Sequence, residues 1–161
     1  MSKPSRNAIA VILRNRQNPK QFLAVKRPAS DEDLGGFWGL PATRMRDNEL
    51  PEDAARRVCR EKLGCEAVPL RLVGTMFQKR NSYDLFFMDV EMQLTGDLQP
   101  DVTKATTTST VYAGQQWTED TSLLLPAAES GSCCTTLFLT DQGMFNRDDW
   151  VLSLEGSPAV S

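Results

Sequence analysis

The stretch from Gly39 to Cys65 constrains this chain most, because a loop punctuated by glycine and proline feeds a segment with helix signals at both ends. Pro51 suits the first position of a helix, Glu52 and Asp53 complement the positive end of its dipole, and Gly64 suits the residue that closes it. Leu50, at the cap position, is a poor choice where Ser, Thr, Asp or Asn is preferred. Ala55, Cys59 and Leu63 recur every four residues, so the helix buries that stripe and turns its charged side outward.

Strand signals surround this helix. Ala8 to Leu13 is a short apolar run rich in β-branched residues, and Gln21 to Lys26 is a second, which together suggest a hairpin. Asp31, Gly35 and Gly36 mark a loop before the half-buried aromatic segment Phe37 to Pro41. Two neighbouring strands are expected at Leu70 to Gln78 and Tyr83 to Leu94, then a long polar loop from Thr95 to Thr110 and a strand from Val111 to Trp117. A closing helix is expected from about Thr121 to Leu139 with Pro126 in its early turns, although Gly131 and the pair Thr135 and Thr136 run against continuity. No internal repeat is apparent.

At 161 residues the chain holds one sizeable core, so residues 1–153 are expected to form a single domain and residues 154–161 a frayed tail. A net charge of -3 provides no broad positive field for a nucleic-acid backbone, and duplex nucleic acid is not an expected partner. The apolar run near the N-terminus is too short to span a membrane and lacks a cleavage site, so membrane association and secretion are not expected. Cys59, Cys65, Cys133 and Cys134 form no metal-binding pair and read as buried thiols in a reducing, cytoplasmic setting. The chain has no histidine, which removes Ser-His-Asp and Cys-His nucleophilic arrangements.

The segment Trp38-Gly39-Leu40-Pro41-Ala42-Thr43, followed by Glu49, Arg57, Val58, Cys59, Glu61, Lys62, Gly64 and Cys65, resembles the Nudix box, G-x5-E-x7-R-E-U-x-E-E-x-G-U. The spacing fits without gaps, since Thr43 to Glu49 is six positions and Glu49 to Arg57 is eight. Glu49, Arg57, Glu61 and Gly64 match, while Thr43, Val58 and Lys62 replace a glycine and two glutamates. The resemblance implies a Nudix-type α/β/α sandwich with a mixed sheet between helices.

It also implies a reaction. In the family, grouped helix carboxylates bind Mg²⁺ or Mn²⁺, which bridges a diphosphate and activates water. Positions 58, 61 and 62 would project from one helix face, and here that face offers Val58, Glu61 and Lys62. The expectation is a hydrolase of a nucleoside diphosphate linked to another moiety, with Glu61 and Glu49 as catalytic and metal-binding residues and Arg57 as structural support. The alternative is a weak or inactive module that binds a nucleotide or phosphometabolite. Asp84, Asp89 or Glu91 could supplement the carboxylates. Arg27, Arg44, Lys62 and Trp38 are the candidate substrate-binding residues, with Tyr112 and Trp117 as further stacking surfaces. A homodimer is left open, and the loop at 95–110 is expected to set the substrate.

Overall fold

The computed structural model describes residues 3–31 and 34–144. Its centre is β1 (Ser5–Arg14). Ala8, Ala10 and Ile12 pack into one apolar cluster, whereas Ile9, Val11 and Leu13 pack into another, as the two-residue period of a strand requires. A strand covered on both faces needs an unbroken apolar run, which explains the composition of residues 8 to 13.

β2 (Phe22–Lys26), β3 (Trp38–Gly39) and β4 (Ala42–Arg44) follow, then α1 (Pro51–Leu63), β5 (Glu66–Lys79), β6 (Asp84–Thr95) and β7 (Gly114–Thr118). The seven strands form one mixed sheet in the order β3-β2-β1-β6-β5, with β4 paired to β1 and β7 to β2. β1 and β6 run parallel, from Ser5 opposite Asp84 to Arg14 opposite Gln93. The expected hairpin is present at its turn, where Arg14 faces Phe22, but β4 occupies the side of β1 beyond it, with Ala8 opposite Arg44 and Ala10 opposite Ala42.

α1 packs Ala54, Ala55, Val58, Cys59 and Leu63 against the cluster containing Ile9, Val11 and Leu13. Gly64 adopts φ 60°, and the amides after Leu63 bond back to the carbonyls of Arg60 and Cys59. Left-handed backbone is readily adopted by glycine, so this residue stops the helix at little cost. On the opposite face, α2 (Leu125–Glu129) and α3 (Cys133–Asp141) cover the cluster of Ala8, Ala10 and Ile12. There Phe22 and Phe138 meet edge to face with centroids 5.0 Å apart. The result is the expected helix, sheet, helix sandwich.

Three expectations change in detail. β5 begins at Glu66 rather than Leu70 and incorporates Pro69, which an edge strand tolerates because its missing amide need not pair; irregular register flanks the site. The last strand begins at Gly114 rather than Val111. The single closing helix is replaced by a 3-10 turn at Thr121–Leu124, then α2, then α3. Gly131 at φ 95° breaks the chain, and Ser132 starts α3 anew by accepting a bond from the Thr135 amide. The tail expected at 154–161 lies outside the described residues. Among the described residues, no helix is long and apolar enough to cross a membrane.

Candidate functional site

Arg57 organises the loop before α1. Its Nε and Nη2 donate to the two oxygens of Glu49 at 2.8 and 2.9 Å, and Nη2 also donates to the Arg44 carbonyl at 2.8 Å. Glu49 accepts a further bond from the Arg46 amide at 3.0 Å. The Arg57 guanidinium holds the Glu49 carboxyl at a pKa of about 2, against the opposing effect of burial. Glu61 is drawn into the same network: Arg57 Nη1 and Arg46 Nη2 each lie 3.4 Å from one of its oxygens. The two carboxylates of the helix and its loop thus face guanidinium groups.

Val58 and Lys62 take different environments. Val58 is 1% exposed and belongs to the core cluster beneath α1. Lys62 is 4% exposed, and its Nζ donates to the carbonyls of Ser109 at 2.8 Å and Thr110 at 3.2 Å. It also lies 5.1 Å from the centre of the Tyr112 ring. Burial, together with the charges of Arg27 and Arg57, lowers its pKa to about 8. Thr110 carries φ 47°, a left-handed conformation that costs a non-glycine residue about 1 kcal/mol or more. The same loop bonds to α1 through Thr106 N to Glu61 O and Asp101 N to Leu63 O, both at 2.8 Å, and Lys62 ties down the Thr110 carbonyl itself.

Lys62, Ser109 and Thr110 line a cavity of about 190 Å³ beside α1, into which Arg6, Arg27, Arg44, Tyr83 and Tyr112 also reach. Arg27 is paired with Asp31 at 2.6 Å. Arg6 lies over the Tyr83 ring at 4.0 Å. The Tyr112 hydroxyl is buried and accepts a bond from the Ala42 amide at 2.9 Å, which fixes the ring beside Lys62; burial pushes its pKa up to about 12.

The profile of the NUDIX domain matches residues 4–125, which is most of the chain. The chain belongs to this family. A curated relative, the 8-oxo-dGTP diphosphatase of Proteus vulgaris, is 31% identical over 94 residues, covering 56% of this chain and 81% of that protein. Among solved structures, the MutT protein from Methanosarcina mazei Go1 superposes with a TM-score of 0.60 at 16% identity, over 92% of this chain and 98% of that one. The E. coli ORF135 protein gives a TM-score of 0.58 at 18% identity, over 77% and 79%. At such identities the structural likeness shows the fold alone.

Within this Nudix framework, the box residues do not fit a divalent cation. A hard dication needs several oxygen ligands on one face. Here Val58 contributes none, Lys62 brings a positive charge, and Glu49 and Glu61 are engaged by Arg57 and Arg46. Two of the supplementary carboxylates are paired with cations and the third is sealed in the interior. Asp84 is 3.1 Å from Lys3, Glu91 is 3.3 Å from Arg14, and Asp89 is fully buried with neither oxygen hydrogen-bonded among the described residues. Among the described residues, no three His, Cys, Asp or Glu side chains group as metal ligands.

Of the residues singled out as substrate-binding, Arg27, Arg44 and Lys62 meet at the cavity. Trp38 lies outside its lining and packs, half-buried, against the core on the α2 and α3 face; Trp117 packs against the cluster beneath α1. Sequence reading did not find Arg6 or Tyr83. The only signal was that Arg6 shares a strand face with Ala8, which has meaning once β1 is known to lie beside β6.

Proposed function

We propose that this Nudix domain binds a small phosphorylated molecule of the nucleotide type at the cavity beside α1, and that its box helix serves binding rather than metal-dependent hydrolysis. One observation carries this reading: the box position that would add a second carboxylate next to Glu61 holds the buried Lys62 ammonium, on the wall of a cavity lined by arginines and aromatic rings. An ammonium there repels a dication and attracts an anion, with an interaction strengthened by exclusion of water. The four cysteines are buried and free of disulfides, in keeping with a reducing setting such as the cytoplasm.

A second reading is a metal-dependent hydrolase that cleaves the diphosphate bond of a nucleoside diphosphate linked to another moiety. The similarity to a diphosphatase acting on 8-oxo-dGTP favours it, as do the retained Glu49, Arg57 and Glu61. Calorimetry and turnover assays with ADP, ADP-ribose, dGTP and 8-oxo-dGTP separate the two readings. The proposed function expects saturable binding of at least one compound and no Mg²⁺-dependent release of phosphate products. Turnover that requires Mg²⁺ and is lost in Glu61→Gln would support the hydrolase and sink the binding reading.

A further inference from the structure

The chain carries 21 acidic and 18 basic residues, yet among the described residues no acidic side chain lines the cavity beside α1, where four basic ones meet. Among the described residues, Arg27 alone of these has a carboxylate partner, Asp31. Lys62 donates to two backbone carbonyls and has no ion pair among the described residues. Arg6 lies over an aromatic ring, and the Arg44 side chain makes no hydrogen bond or ion pair among the described residues. Among the described residues, three cations without an ion-pair partner therefore converge on one hollow.

A purely structural account of Lys62 is that it clamps the loop at 105–112 onto α1. Clamping needs N–H donors and not a charge, and burying an ammonium without a counter-ion carries a desolvation cost that a neutral donor avoids. That cost is offset when an anion enters the cavity. Two carbonyl bonds also leave one of the three ammonium N–H donors to be satisfied.

We infer that this cavity is a metal-independent anion site, in which Lys62, Arg6 and Arg44 present directly to phosphate oxygens the positive charge that Nudix hydrolases draw from bound divalent cations. The inference rests on the binding reading above and specifies how the phosphates are held. Guanidinium groups suit paired phosphate oxygens through their planar fork, and the ammonium acts as a point charge fixed by the loop carbonyls. The ligand class is a compound with a terminal or bridging diphosphate, of which inorganic pyrophosphate is the minimal probe.

The test is calorimetric titration of the full chain with inorganic pyrophosphate and with ADP, in EDTA and again in Mg²⁺. Both ligands should bind in EDTA, and Mg²⁺ should not tighten them. Arg44→Gln alters an exposed side chain and should weaken binding about tenfold, while Lys62→Met should weaken it about 10- to 100-fold, as expected for losing a charge-assisted contact. Lys62→Gln, which retains a donor but no charge, should bind as weakly as Lys62→Met; recovery to native affinity would favour the clamp and overturn the inference. If Lys62 variants melt at room temperature, Arg44→Gln decides alone, and native affinity in that variant overturns the inference. ADP binding that appears only with Mg²⁺ overturns the anion site and leaves the nucleotide reading standing; no pyrophosphate or ADP binding under either condition also overturns the anion site, and the nucleotide reading falls with it only if ADP-ribose, dGTP and 8-oxo-dGTP fail to bind as well.

Discussion

Glu49 and Arg57 form a two-pronged polar contact near the box, with bonds of 2.8 and 2.9 Å and a carboxyl whose pKa is lowered from 4.5 to about 2. A carboxylate with a lowered folded pKa contributes stability that is present above its unfolded value and is lost as pH falls through its folded one. Glu49→Gln is expected to cost about 2 kcal/mol at neutral pH, the scale of a hydrogen bond between charged groups. The difference from the native protein should shrink between about pH 4.5 and pH 2 in urea unfolding followed at several pH values. A difference that persists at pH 2 would show that the pair acts through packing. Val58 is governed by the opposite physics, since it is 1% exposed among apolar neighbours. Restoring the family glutamate with Val58→Glu would bury a carboxylate with no partner, and a loss of about 3 kcal/mol or more is expected by chemical denaturation. At this scale the sequence revealed the Glu49 to Arg57 pairing, because its spacing belongs to a motif. The burial of Lys62 was not legible, because it depends on carbonyls 47 and 48 residues away.

α1 was the most legible element because all its signals are local: Pro51 at its start, acids in its first turn and Gly64 at its end. Its weakest point is the one the sequence indicates. Leu50 is 58% exposed, has extended backbone at φ -71° and ψ 144°, and gives the helix no side-chain cap. That geometry accepts a capping side chain, so Leu50→Ser should stabilise the fold by about 1 kcal/mol in thermal or urea unfolding. An unchanged midpoint would mean that Leu50 contributes apolar contact comparable to a cap. Gly64→Ala should destabilise by about 1 to 2 kcal/mol, since a Cβ at φ 60° would lie 2.9 Å from Lys104 Cβ. The final helical segment was read less well. Leu123 to Leu125 and Leu137 to Leu139 carry apolar signals for one helix, but the Gly131 turn and Ser132 cap are local features that divide it. The threonines then serve the new start, with the Thr136 hydroxyl bonding to the Ser132 carbonyl at 2.7 Å.

Across the whole molecule, the sandwich was legible from the order of its elements, whereas the convergence of the cavity residues depends on pairings distant in sequence. Arg6 reaches the cavity because β1 lies parallel to β6, and Lys62 because the loop before β7 closes on α1. The four thiols report on global integrity: all are buried, and burial pushes the Cys133 pKa up to about 12. A thiol-reactive dye at neutral pH should label none of them in the native protein and all four in denaturant; fast native labelling would reveal local opening around α1 or α3. The central claim concerns the box face, where Lys62 replaces a carboxylate and Arg57 and Arg46 occupy the two that remain. Titration of the purified protein with Mn²⁺, read by electron paramagnetic resonance of the free ion, tests this most directly. The structure predicts no stoichiometric site at submillimolar Mn²⁺. One equivalent bound, and released by Glu61→Gln, would contradict it.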